Sequence, residues 1–268
     1  MADNYKKRYK KEKNNVSEDF SVPSDRLEGR NPVMEALNSG RTIDKIYVQA
    51  GERSGSVLKI VSICRDKKIP VIETEKAKLD KMSSTGAHQG VIAAVAAKEY
   101  VEVEDILAIA EEKGEKPFIV ICDEINDPHN LGSILRTSNA AGVHGVIIPK
   151  RNSVGLTATV AKSSAGAVEF TPVAKVTNLA RTIDMLKERN IWVAGADMSG
   201  ENDIYSQDFS GGIAIVIGSE GFGISRLILE KCDFLVKIPM LGEITSLNAS
   251  VAGALMIYEV VRTRNKHI

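Results

Sequence analysis

The stretch from Ile213 to Ala254 constrains the fold more than any other, because in it two apolar strands each run into a loop suited to a ligand. Ile213 to Ile217 is an unbroken apolar run, the pattern of a strand covered on both faces. Gly218, Gly221 and Gly223 follow, stripping side chains from the strand-to-helix turn so that backbone N–H groups can approach a ligand closely. Phe234 to Ile238 is a second buried-type strand, ended by Pro239, which has no N–H to give to a ladder. The next segment, MLGEITSLNAS, is rich in small hydroxyl and amide side chains, and Ser246 reads as the N-cap of a terminal helix. In that helix Leu247, Val251, Ala254, Leu255 and Tyr258 recur at helical spacing. Open α/β sheets bind ligands outside the carboxyl ends of their strands, where both loops fall.

The rest of the chain alternates in the same α/β manner. After a basic arm at 1–25, expected to be disordered, order begins near Leu27. Asn31-Pro32 reads as a helix start with Asn31 as cap, and Gly40 as its stop. DKIYVQ, IPVIET and GVIAAVA are strands, separated by helices over Ser54–Lys67 and Glu75–Met82, making a small α/β domain at 26–97. Residues 98–115 are acidic and read as a linker holding a short helix from Asp105 to Glu112. A second domain, 116–268, opens with the buried-type strand PFIVICDEI. In NDPHNLGSILRTSNAAG, Asn130 takes the N-cap place, and Leu131, Ile134, Leu135 and Ser138 trace an inward stripe closed by Gly142. Gly132, Ser133, Arg136 and Asn139 fall on the other side. GVIIP is a strand, and TATVAKSSAGAVEF a small-residue helix running into another. The Ala/Ser-rich run Thr157–Ala167 suits close helix packing or a dimer contact. Thr177–Arg189 is an amphipathic helix with Leu179, Ile183 and Leu186 inward, and IWVAGAD a strand with Trp192 expected in the core.

Three motifs, DPHNLGSILRTSNAAG, GSEGFGIS and IPMLGEITSLNASVAGAL, stand in that order, and together they resemble the SpoU branch of the SPOUT RNA methyltransferases. The likeness covers about Leu27 to Arg264, and within the branch is nearest to the bacterial 23S ribosomal RNA guanosine 2′-O-methyltransferases. The amino-terminal domain resembles the ribosomal-protein-like (L30e-like) RNA-binding domain of that subfamily, including GAHQG before its last strand, with His88 and Gln89 either contacting substrate or shaping the turn. The resemblance implies a trefoil-knotted α/β catalytic domain, S-adenosylmethionine (AdoMet) in the knot and a homodimer, and the chain's cysteines, read as reduced, fit a cytoplasmic home. Periodicity alone gives only a doubly wound sheet, since knots are too rare to read from pattern.

By the same resemblance Gly218 and Gly221 shape the donor loop, while Ile238, Met240 and Leu247 hold adenine. Arg136 and Asn130 fall on the first motif's functional polar positions, and Glu220, Ser246, Asn248 and Ser250 extend the polar shell. Methyl transfer to a ribose 2′-hydroxyl needs alignment, a route for the proton and stabilisation of the developing alkoxide. A guanidinium stays protonated, so Arg136 reads as the cation that stabilises the alkoxide, with Glu220 as its orienter or a substrate contact.

Composition narrows the partners. The chain carries 35 basic and 35 acidic residues, yet residues 1–15 hold six basic side chains against Asp3 and Glu12, which leaves the remainder acidic. Such an arm can track phosphates or merely solubilise. Cys64, Cys122 and Cys232 are far apart and read as reduced core residues, and the scattered His88, His129, His144 and His267 offer no metal spacing. No run is long enough to span a membrane. A dehydrogenase is the rival enzyme reading, but the spacing at Gly218 is G-x-x-G-x-G and no acidic ribose anchor follows a later strand. A non-catalytic ribosomal-protein-like RNA binder is the second rival, set against the presence of every polar motif position. Within the family, transfer-RNA and antibiotic-resistance ribose methylases compete with the 23S enzyme.

Overall fold

A computed structural model describes residues 26–51, 55–95 and 98–265. The basic arm lies outside the described residues. The first unit builds a four-stranded sheet from β1 (Arg26–Glu28), β2 (Ile43–Gln49), β3 (Val71–Thr74) and β4 (Val91–Val95), in the order β1-β4-β2-β3. Helices α1 (Arg30–Ser39), α2 (Gly55–Asp66) and α3 (Lys76–Met82) cover it. Helix α1 begins two residues earlier than its Asn-Pro pair suggests, with Gly29 as cap, and ends as expected at Gly40 in the left-handed conformation. Proline is tolerated anywhere in a first turn, so Pro32 marks the neighbourhood of the start and not the start itself.

The second unit is a seven-stranded parallel sheet. Its strands are β5 (Phe118–Cys122), β6 (Gly145–Pro149), β7 (Val173–Val176), β8 (Trp192–Ala196), β9 (Asn202–Asp203), β10 (Ile213–Ile217) and β11 (Phe234–Lys237), ordered β7-β6-β5-β10-β8-β11-β9. Strand β10 is central and every residue in it is buried, as its apolar run requires. Helices α4 (Val103–Glu112), α5 (Pro128–Ala140), α6 (Ala158–Ser163), α7 (Leu179–Glu188), α8 (Arg226–Lys231) and α9 (Ala249–Asn265) pack around it. The acidic segment 98–115 contributes α4, whose Ile106 lies so close over Gly145 that a Cβ there would stand 2.5 Å from it.

Local chemistry explains the departures from expectation. The Asp127 carboxylate accepts from the His129 N–H at 2.8 Å with Pro128 in the first turn, so α5 starts before Asn130, which stands inside the helix. Gly132, expected outward, is buried; its missing side chain lets α6 lie against α5, and a Cβ there would stand 2.9 Å from the Ser164 nitrogen. The Ala/Ser-rich run is thus a close helix–helix contact within the chain. It does not continue into a strand: Gly166 turns left-handed, Ala167–Glu169 form a 3₁₀ turn, and β7 begins only at Val173. Trp192 is 58% exposed, because it opens β8 at the sheet's open amino edge.

The two units meet at α6 and the 3₁₀ turn. Arg41 pairs with the buried Glu169 at 2.6 Å, Lys98 donates to the Glu169 carbonyl at 3.1 Å, and Lys162 donates to the Thr85 hydroxyl at 3.3 Å. Thr85 belongs to a loop gathered around Glu28, which is fully buried and accepts hydrogen bonds from Ser83, Ser84 and Thr85. Burial pushes the Glu28 carboxyl up, but those hydrogen bonds outweigh it and hold the group at about 2.

Candidate active site

The glycine-rich loop after β10 folds back on itself. The Ser219 N–H donates to the Gly223 carbonyl at 2.9 Å and the Gly223 N–H returns to Ser219 at 3.0 Å. Gly221 and Gly223 have φ of +87° and +67°, which residues with side chains rarely adopt. Gly218 is glycine for a different reason: a Cβ there would overlap the backbone of Gly223 and Ile224. The space above Gly218 is therefore taken first by its own loop. Asp123, at the carboxyl end of β5, anchors the far side of the loop by accepting from the Ser225 N–H at 2.7 Å. Sequence reading passed over this buried aspartate, since one acidic residue after a strand carries no signal by itself.

Beside the loop opens a cavity of about 310 Å³ at the carboxyl ends of β10, β8 and β11. All five residues assigned to the donor, Gly218, Gly221, Ile238, Met240 and Leu247, line it, together with Glu220 and Ser246. Among the described residues its lining includes two carboxylates, Asp197 and Glu220, and no lysine, arginine or histidine. Apolar walls suit a flat heteroaromatic ring, and the charge suits a cationic ligand over a phosphate-bearing one. AdoMet, with its adenine and sulfonium, fits both features.

At the lip of the cavity the three motifs converge. Asn130 donates to Glu220 Oε1 at 3.0 Å, and the Asn248 amide donates to the same oxygen and to Asn130 Oδ1, the latter at 3.0 Å. The Asn248 oxygen is committed elsewhere, accepting from Ser250 N at 2.9 Å and Ser250 Oγ at 2.6 Å. Asn248 thus heads α9 in the capping place given to Ser246 from sequence, and the cap leaves its amide nitrogen to face Glu220. Ser246 is an exposed wall residue of the cavity.

Arg136 stands apart from this cluster. It is exposed on α5 six residues after Asn130, and no described residue gives it a hydrogen bond or ion pair. Glu220 accepts from the two asparagines, and among the described residues it makes no ion pair with Arg136. His88 and Gln89 are engaged inside their own unit. His88 is buried, with Nε2 2.9 Å from Asp80 and Nδ1 accepting from the Gly90 N–H at 3.0 Å, while Gln89 accepts from Arg30. Those hydrogen bonds hold the turn before β4. Burial pushes the thiols of Cys122 and Cys232 up to about 12, and neither lines the cavity. Among the described residues no group of three potential ligands could hold a metal ion.

Family comparisons agree with this geometry. The model of the SpoU rRNA methylase family matches residues 117–258, and that of the RNA 2′-O ribose methyltransferase substrate-binding domain matches residues 26–101. The chain belongs to the SpoU family. It is an AdoMet-dependent RNA methyltransferase. A Bacillus subtilis (strain 168) protein named as a TrmH family tRNA/rRNA methyltransferase is 52% identical over 246 residues, covering 92% of this chain and 98% of that one. A Staphylococcus haemolyticus protein of the same naming is 50% identical over 238 residues, covering 89% and 95%. Among solved structures, the SpoU methyltransferase AviRb from Streptomyces viridochromogenes in complex with AdoMet superposes with a TM-score of 0.77 at 26% identity, covering 90% of each chain.

Proposed function

We propose that this SpoU enzyme transfers a methyl group from AdoMet to a ribose 2′-hydroxyl, that of a guanosine in 23S ribosomal RNA, in the cytoplasm. The observation that carries the reading is the junction of Asn130, Glu220 and Asn248 at the lip of a cation-free, apolar-walled cavity. AdoMet, when bound, supplies the electrophilic methyl group. Gly218, Gly221, Ile238, Met240 and Leu247 form the walls that hold the nucleoside, and the loop backbone offers it N–H groups. Asn130 and Asn248 fix Glu220, whose second oxygen stays available to a hydroxyl of the acceptor ribose. Ser246 adds a hydroxyl at the same wall. As the 2′-oxygen takes the methyl group its proton leaves to phosphate or water, and Arg136 stabilises the charge on that oxygen.

The enzyme acts as a homodimer in this reading. Among the described residues Arg136 has no hydrogen-bond or ion-pair partner, and the apolar stripe Val251, Leu255 and Tyr258 of α9 faces outward, Tyr258 being 50% exposed. A second copy packed on that face covers the stripe and lets Arg136 reach the neighbouring site. The trefoil knot of the family belongs to the same proposal, as do the division into a substrate-binding unit at 26–97, a connecting segment at 98–115 and a catalytic unit at 116–268, and phosphate tracking by the basic arm. GAHQG and DPHNLG favour ribosomal over transfer RNA as substrate. The test is to incubate unmodified ribosomal and transfer RNA with labelled AdoMet and map the modified ribose. Label in a 23S guanosine ribose is the expected result; label only in transfer RNA, or on a base, overturns the assignment.

A further inference from the structure

The carboxyl end of β8 brings a side chain with no sequence signal into the donor cavity. Strands β8 and β10 pair in parallel with Gly195 opposite Val216, so two residues further on Asp197 stands level with Gly218 across the ladder. Its backbone N–H donates to the Val236 carbonyl at 3.0 Å, which fixes the chain at that point. One carboxylate oxygen is committed: Asp197 Oδ1 accepts from the Ser199 N–H at 2.9 Å and the Ser199 hydroxyl at 2.6 Å. The other, Oδ2, has no hydrogen bond among the described residues and faces the glycine loop, 3.9 Å from where a Cβ on Gly223 would stand. Asp197 lines the cavity, and among the described residues no basic side chain does.

A carboxylate held in one rotamer, with one oxygen free, beside a glycine-rich turn on the neighbouring parallel strand is the arrangement with which dinucleotide-binding sheets grip a ribose. In those sheets the acid follows the turn in sequence. Here β8 precedes β10 in the chain yet lies beside it in the sheet, so the acid comes first. The order of strands also fixes which end of the donor Asp197 meets. Glu220 and Asn130 stand on the β5 side of β10, where the acceptor ribose and the methyl group belong. Asp197 stands on the opposite side, next to β11 with its adenine walls Ile238 and Met240. We propose that Asp197 Oδ2 accepts hydrogen bonds from the vicinal hydroxyls of the donor's ribose, which makes Asp197 a specificity residue for ribonucleoside donors. The proposal rests on the assignment of the cavity to AdoMet.

Calorimetric titration with S-adenosylhomocysteine, its 2′-deoxy analogue and its 3′-deoxy analogue tests this without turnover, using the full-length protein and the variants Asp197→Ala and Asp197→Asn. Wild type is expected to bind at least one deoxy analogue about tenfold or more weaker than the parent, the usual worth of a hydrogen bond to a charged group. Asp197→Ala is expected to bind the parent weaker by a similar factor and to lose its discrimination between parent and analogue, with a melting temperature near wild type. Asp197→Asn, which keeps the shape, distinguishes lost contact from disturbed fold and should fall between the two. A variant that retains the wild-type ratio of parent to deoxy affinity overturns the diol contact. So does one that loses affinity for AdoMet but not for S-adenosylhomocysteine, because that residue reads the sulfonium charge. A wild-type protein that binds none of these ligands removes the donor site itself, and the present proposal with it.

Discussion

Gly218→Ala separates the shape of the donor loop from its chemistry, since it adds a methyl group and no polarity. That methyl would overlap Gly223 C and Ile224 N, both backbone atoms, far inside the 3.0 Å that real Cβ atoms respect. To restore ordinary contact beyond 3.4 Å the returning chain must retreat by more than 1 Å. It is not free to do so, being tied by the Ser219–Gly223 pair at 2.9 and 3.0 Å and by Ser225 on Asp123 at 2.7 Å. Breaking two such bonds at about 1 kcal/mol each, or straining a packed site by about 1–3 kcal/mol, gives an expected loss of about 2–3 kcal/mol. In a chain of this size that is a melting temperature lower by about 5–10 °C. The loop also forms the cavity wall, so AdoMet affinity should fall about tenfold or more, each factor of ten being about 1.4 kcal/mol. Gly242→Ala is the matched control: nothing lies within 4 Å of its Cβ position and its φ is not left-handed, so both readings should stay near wild type. Thermal melts and calorimetric titration with AdoMet measure the two quantities. A Gly218→Ala protein that melts with wild type and binds AdoMet within twofold refutes the reasoning, because a displaced backbone cannot leave both untouched.

Arg136→Ala should melt within about 0.5 kcal/mol of wild type and bind AdoMet normally, since the side chain is exposed and has no partner among the described residues, while single-turnover methyl transfer falls about 100–1,000-fold. Lysine should restore only part of that rate, and near-normal transfer by the alanine variant would point to Glu220 instead. Glu28→Gln should destabilise the protein by about 3 kcal/mol at neutral pH, because a carboxyl lowered from 4.5 to about 2 contributes stability that is complete above its unfolded value. That contribution is lost as pH falls from 4.5 toward 2, so the melting-temperature gap to wild type must narrow across this window; a gap constant with pH contradicts it. Leu255→Asp on the outer face of α9 should reduce the mass in light scattering from twice 29.0 kDa to one chain, and an unchanged dimer would place the interface elsewhere.

The parallel sheet was legible because its strands are covered on both faces, so IAIVI and FIVIC appear as unbroken apolar runs. The two loops that wall the cavity were legible for a related reason: their glycines, proline and small polar groups interrupt that pattern at the carboxyl ends of strands, while the single residues assigned to the donor came from the family motifs. Helix starts were less so. Several residue types can cap, and only the backbone decides among Asp127, Asn130, Ser246 and Asn248. Helix α9 is the instructive case. Apolar and small residues surround it on nearly every side, so spacing finds a stripe but cannot say which stripe faces in. The answer comes from Gly253, whose missing side chain admits Ile217: a Cβ there would stand 2.6 Å from the Ile217 side chain. That contact turns Met256, Ile257 and Val260 inward and leaves Val251, Leu255 and Tyr258 on the outside.

The residues that escaped reading altogether, Asp123 and Asp197, share one property. Each is a lone aspartate just past a strand, a common place for a turn residue, and each gains its role from a strand that is distant in sequence and adjacent in the sheet. Asp123 ends β5 and holds the loop after β10; Asp197 ends β8 and faces the same loop from the other side. The order β5-β10-β8 inserts a late strand between two earlier ones, so the glycine loop is flanked by acids that both precede it in the chain. A motif search that runs forward from the glycines looks for its acidic anchor in the wrong direction. In a sheet wound this way, the partners of a ligand loop are found by strand adjacency, and their chemistry follows from which oxygen the local turn leaves free.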